Sequence, residues 1–277
     1  MVFLNFPSSE TRGQALRIPR DMMVHVTVEP TWQLGLALVL LVGLTLAVSR
    51  WGRLRIGRQT VVAAVRAIVQ LSIVSVIIVA ALQHLWSALV FVLVMFVIGV
   101  RTTSKRVGVT ACWPWVSLAM AAGILPVLLI VYLTGTAPLN GMSLIPIAGI
   151  VIGNMMTAHT LAVRNSFTHL RSHLGEYEAG LSLGFSRARS IRLTDPDSAR
   201  DATMPNNDQT RTVGLVTLPG AFIGVLLGGG SPVQAGAAQV LVLLGIMAGQ
   251  AATVSVAHRL IEHARIVTPE LRLALHR

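Results

Sequence analysis

The sequence predicts an all-α fold, a polytopic membrane helix bundle of about seven transmembrane helices, with the N-terminus outside and the C-terminus inside. Three observations carry this. Of 277 residues, 53% are hydrophobic and only 12% charged, whereas soluble domains carry roughly a quarter charged and disordered chains are poor in apolar residues. The mean hydropathy is +0.70. The apolar residues fall into long runs, and no Asp or Glu occurs between Pro30 and Gly175.

Residues 1–31 form a polar tail in which Arg12, Arg17 and Arg20 face Glu10, Asp21 and Glu29. Met22 and Met23 precede the first apolar run and leave a later start site open. The transmembrane domain is expected over 32–257. Its first run, 32–49, is too long for a signal-peptide core and lacks a small-residue cleavage site. Arg50, Arg53, Arg55 and Arg58 stop it. The second run, 61–82, contains Arg66 and Gln70, and Gln83 and His84 turn the chain into the third, 85–100. Arg101, Lys105 and Arg106 follow. The fourth run, 111–133, contains Pro126, and the fifth, 143–163, has Pro146 near its start. A polar segment, 164–212, carries seven arginines and six acids. The sixth run is 213–229 and the seventh 235–257, ahead of a basic tail at 258–277.

Loops after the odd-numbered runs are basic and those after the even-numbered runs are uncharged. Lys/Arg-rich short loops stay cytoplasmic, which gives the N-out, C-in arrangement; the three tail arginines argue mildly against it. The chain carries 22 basic residues, of which Lys105 is the only lysine. In a soluble protein this excess would suggest nucleic acid. Here the arginines read as topology signals in a protein of the plasma membrane, so the partner is the lipid bilayer and no nucleic acid is expected. The single cysteine, Cys112, excludes an internal disulfide.

Glycines recur at four-residue spacing at Gly149 and Gly153, at Gly220, Gly224 and Gly228, and at Gly245 and Gly249. Such strips let helix backbones approach closely. Arg66 and Gln70 share one face of the second span. Arg66 either snorkels to the nearby interface or is held inside as a structural or gating group. Asn154 and Thr157 share a face suited to interhelical hydrogen bonds. Met155, Met156 and His159 are weak metal-ligand candidates: the thioethers are soft donors, but core filling is their ordinary use, and a lone His makes a poor metal site. Pro146 and Pro219 each remove a backbone donor and can kink a span. In the polar segment, Leu174, Tyr177, Leu181 and Phe185 fall on one stripe of an amphipathic helix, which lies on the membrane or docks into a cytoplasmic partner.

No enzymatic chemistry is expected. The lone lysine has no Gly-rich loop before it, so there is no P-loop; HExxH, GxSxG and acids within the spans are also lacking. ATP, if used, must bind another chain.

The run Glu178-Ala179-Gly180-Leu181-Ser182-Leu183-Gly184 resembles the coupling motif of ABC transporter permeases, Glu-Ala-Ala-x-x-x-Gly. Arg66-Ala67-Ile68-Val69-Gln70-Leu71, Ile145-Pro146-Ile147-Ala148-Gly149 with Ile152-Gly153-Asn154, and Thr212 to Gly220 resemble the bacterial iron-export ABC permease family, from about residue 33 to 262. The resemblance implies a permease homodimer working with a separate cytoplasmic ATPase that binds ATP and Mg. It also implies coupling to that ATPase through Glu178, Ala179, Leu181, Gly184 and Phe185. The helix would run on to Arg192, with Leu181 and Phe185 filling a groove on the partner. The pathway or gate would draw on Arg66, Gln70, Pro146, Gly149, Gly153, Asn154, Pro219 and Gly220. Bacterial members are linked to iron export; plant relatives are linked to aluminium tolerance and to UDP-glucose transport. Two rivals of another class are a gradient-driven carrier working alone and a seven-span sensor. Two departures stand out. Gly180 replaces the motif's second Ala, which should loosen the helix by about 1 kcal/mol, and Ala221 and Phe222 stand where many members carry two methionines.

Overall fold

The structure, a computed structural model, describes residues 31–54 and 56–275. Residues 1–30, which make up nearly all of the expected N-terminal tail, together with Arg55 and the last two residues, lie outside the described residues. The chain divides into two units, Met1–Ser75 and Val76–Arg277. Among the described residues the secondary structure is helical apart from one isolated bridge, Val213 to Thr217.

In the first unit, α1 (Trp32–Trp51) ends where Gly52 donates to the Val48 carbonyl, and α2 (Gly57–Gln83) begins there and continues into the second unit. The second unit contains α3 (Leu85–Arg106), a 3₁₀ turn at Thr110–Cys112, α4 (Trp113–Leu133) and α5 (Gly141–Ser172). These are followed by α6 (Leu174–Ser182), α7 (Arg187–Thr194), α8 (Ser198–Asp201), α9 (Met204–Thr212), α10 (Gly220–Leu227), α11 (Pro232–Glu262) and α12 (Pro269–Leu275).

Six of the described helices are long and apolar enough to cross a membrane. They are α1 to α5 and α11, with the 3₁₀ turn counted into α4. The starts of α5 and α11 are set by side chains. Asn140 Oδ1 accepts from Ser143 N at 2.9 Å. Ser231 and Gln234 cap each other reciprocally, with Pro232 at the first helical position.

The sixth apolar run departs from expectation. It was predicted as a span over 213–229, but only Gly220–Leu227 is helical. Eight residues rise about 12 Å, against a hydrocarbon core of about 30 Å. The cause is local. Gly214 adopts φ +85°, a left-handed conformation open to glycine. Pro219 keeps Leu218 out of helical geometry and supplies no N–H. Gly229 at φ +86° then ends α10, with Gly230 N donating to Val225 O at 2.9 Å.

The chain still changes sides here. The end of α11 meets α7 through Arg192 and Glu262, whereas its start shares a cleft with the start of α5. The sixth passage is therefore made in pieces. Gln239, buried on α11, holds its helical part by accepting from Phe222 N at 3.3 Å.

The core lies where α3, α4, α5 and α11 pack, around Met120, Met155, Val163, Ile246 and Ile261. The tightest crossing is between α4 and α11. A Cβ on Gly123 would overlap the Gly249 carbonyl oxygen and Thr253 Oγ1, and one on Gly245 would lie 3.0 Å from Val127 Cγ1. The glycine strip of the seventh run is thus a packing strip. In the fifth run Gly149 packs on α3, where a Cβ would lie 3.1 Å from Met95 Cε, while Gly153 has no described neighbour within 4 Å; in the sixth, Gly220 and Gly224 have none and Gly228 meets carbonyls of its own helix. Ile261, Ile266, Leu271 and Leu275 also enter the core, so the described C-terminal tail is packed.

Candidate functional site

Two regions bring together residues singled out from the sequence. The first is the helix pair α6 and α7, on the side where the arginines cluster. The expected single helix from Glu178 to Arg192 is broken in two. Gly184 takes φ +82°; Phe185 N donates to Gly180 O at 3.1 Å and Gly184 N to Leu181 O at 2.9 Å. This paired pattern is a Schellman stop, and a Cβ at Gly184 would be strained. The glycine ending the coupling motif is therefore a helix terminator. Ser186 then caps α7 by accepting from Arg189 N at 3.4 Å.

The break reorients the stripe. Tyr177 is buried, and Leu174 and Leu181 pack on the protein's own core. The Tyr177 hydroxyl donates to Leu275 O at 2.7 Å. Burial pushes the phenol's pKa up, against the opposing charge of Arg187, so it remains a donor. Phe185 lies beyond α6, half-buried, with the Arg189 guanidinium 4.4 Å above its ring. Leu181 thus packs inward and Phe185 lies under Arg189, so the most exposed positions of α6 and its turn are others. The exposed face of α6 and its turn carries Glu178, Ala179, Ser182 and Leu183, the last 74% exposed. Leu183, inside the motif but outside the apolar stripe, was not singled out from the sequence.

Gly180 also has a packing reason. A Cβ there would lie 2.9 Å from Ser190 Oγ and 3.2 Å from Ser190 Cβ. Gly180→Ala should therefore push α7 from α6 despite the helix propensity gained, and adding Ser190→Gly should restore the fit. Thermal melting of the two variants in detergent checks this: a lower midpoint is expected for the first and recovery for the second.

The second region is a cavity of about 1230 Å³ between the starts of α5 and α11 and the short α10. Its wall includes Pro146, Ile150, Gly220, Gly224, Gln234 and Leu241, and is largely apolar. Pro146 and Gly220 both line it. Asn154 instead donates to Ile150 O of its own helix at 2.9 Å. Arg66 and Gln70 are exposed on α2, beside Val62 and Val69.

The weak metal candidates occupy packing positions. Met155 Sδ lies against Gly249 and Met156 Sδ against Gly99, on two different helices. His159 is buried with no hydrogen-bond partner on either ring nitrogen. Among the described residues, no group of three or more His, Cys, Asp or Glu side chains is placed to hold a metal ion.

The model of the Uncharacterised protein family (UPF0014) matches residues 31–265. The chain belongs to this family. It is 30% identical over 218 residues to the probable iron export permease protein FetB of Escherichia coli, covering 76% of this chain and 82% of the relative. It is 29% identical to a UPF0014 membrane protein of Synechocystis, covering 81% of this chain and 90% of the relative. It is 32% identical to the protein ALUMINUM SENSITIVE 3 of Arabidopsis thaliana over half of each chain. No solved structure matches. This UPF0014 protein is accordingly a multi-pass membrane protein, in a family that includes a probable iron export permease.

Proposed function

We propose that this UPF0014 protein is the permease subunit of an ABC-type exporter, a homodimer driven by a separate cytoplasmic ATPase that binds ATP and Mg. The observation that carries the reading is the outward face of α6. The motif residues Glu178 and Ala179 are exposed there, together with Ser182 and Leu183, while Tyr177 and Leu181 anchor the same helix to the core. A helix fixed on one side and open on the other can receive a partner and pass on its movement.

Iron is the substrate the likeness to FetB supports. The apolar cleft beside the broken sixth passage marks the stretch of the path nearest the uncharged side, since irregular backbone at membrane depth is tolerated where it lines a cavity or is buried in protein.

The test is transport in vesicles. Vesicles holding the permease and its ATPase should move ferrous iron only with ATP and Mg, and vesicles holding this chain alone should move none. Iron movement by the chain alone, down a gradient, would establish a stand-alone carrier instead. Iron-free transport of UDP-glucose under ATP would keep the permease and change its cargo.

A further inference from the structure

A partly buried charge cluster ties the end of α7 to the end of α11. Arg192, in the last turn of α7, grips Glu262 in the last turn of α11 with two bonds: Nε to Oε1 at 2.9 Å and Nη2 to Oε2 at 2.8 Å. Glu262 is nearly buried, its side chain 3% exposed, while the Arg192 side chain reaches it from the surface, 65% exposed. Asp195, which follows α7, is wholly buried, with Oδ2 3.9 Å from His258 Nδ1. His258 Nε2 in turn lies 3.6 Å from Glu262 Oε1. Two groups from the end of α7 thus face two groups one turn apart on α11.

We propose that this cluster is the joint through which the docking helix pair drives α11, with Arg192 and Glu262 as its positioning residues. The inference rests on the ATPase-coupled reading above and names the element that moves. Beyond the direct chain junction between α5 and α6, the other side-chain ties are poorer conductors. Arg171 and Glu270 are 3.6 Å apart between exposed side chains, where an ion pair contributes little. The Tyr177 bond ends on the seven-residue α12, which is too short to cross the membrane. A bidentate guanidinium–carboxylate pair, by contrast, fixes orientation as well as distance.

The far end of α11 makes the joint consequential. The same unbroken helix carries Gln239, which caps α10, and lines the cleft with Gln234 and Leu241. Along its length it meets α4 backbone to backbone at Gly123 and Gly249. A displacement at Glu262 therefore reaches the cleft through one rod.

The experiment uses the purified permease–ATPase complex with Cys112→Ser and a single new cysteine, Val233→Cys. Val233 is exposed at the start of α11, 82% accessible. The labelling rate by a membrane-impermeant maleimide is measured without nucleotide and with ATP, Mg and vanadate. With the joint intact, nucleotide should change the rate by about fivefold or more. Glu262→Gln and Arg192→Lys should each abolish that change while ATPase co-purification and ATP hydrolysis persist. The exchange Arg192→Glu with Glu262→Arg should restore it. Arg192→Lys keeps the charge and tests the joint even where Glu262→Gln is poorly recovered. A nucleotide response unchanged in both variants, or absent in the parent complex, overturns the joint. Failure of any ATPase to bind overturns the permease reading, and the joint with it.

Discussion

Gly123→Ala should be the most damaging single-methyl change in the bundle. The added carbon would sit on the Gly249 carbonyl and Thr253 Oγ1, and neither can retreat. The carbonyl belongs to the α11 ladder, and Thr253 is fully buried. The helices must separate, opening gaps along a contact that has no side chain to refill it. Overpacking of a tight core costs about 1–3 kcal/mol, and backbone against backbone belongs at the upper end. The melting midpoint in detergent should fall by roughly 5–10 °C. Gly153→Ala is the control: nothing lies within 4 Å of a Cβ there, and helix propensity favours alanine by about 1 kcal/mol. A midpoint in Gly123→Ala equal to that control would show that α4 and α11 are not in backbone contact.

Leu183→Asp should separate docking from folding. Leu183 is 74% exposed beside Glu178 and Ala179, so an acid there disturbs little of the protein's own packing. On a docked face it buries a charge against the partner. Loss of an interface anchor costs about 2 kcal/mol or more, roughly thirtyfold in affinity. ATPase recovery in pull-downs should drop accordingly, with the melting midpoint unchanged. Leu181→Asp should do the reverse first and lower the midpoint, because Leu181 packs on the core. Full ATPase recovery with Leu183→Asp would remove α6 from the docking surface.

Much of the bundle was legible because long apolar runs mark membrane helices. Their ends were less so. α3 continues through Lys105 and Arg106, α5 to Ser172 and α11 to Glu262. A helix leaving the bilayer keeps its internal hydrogen bonds, so hydropathy falls where the helix does not stop. The sixth run misled for the opposite reason. Its composition is apolar throughout, yet Gly214 and Pro219 decide the backbone.

The candidate site was legible as a motif and not as a geometry. Glu178 to Gly184 could be read directly. Gly184 also carried the clue that the helix ends there, before Phe185 can continue the stripe. Gly123 gave no signal, because its partner Gly249 lies 126 positions away. Arg192 and Glu262 are 70 positions apart, and no spacing rule connects them.

The length of α5 has one further consequence. Its 32 residues extend about 48 Å, and even tilted by about 20° they overshoot the oily layer by roughly 15 Å. Placed on the arginine-rich side, the surplus would stand as a pedestal beyond the lipid phosphates, and α6 is joined directly to the end of α5. A soluble motor can therefore engage the platform without pressing into the headgroups. Shortening the pedestal by one turn would lower the platform by about 5 Å with its open face still turned the same way, whereas removing two residues would turn that face to the opposite side.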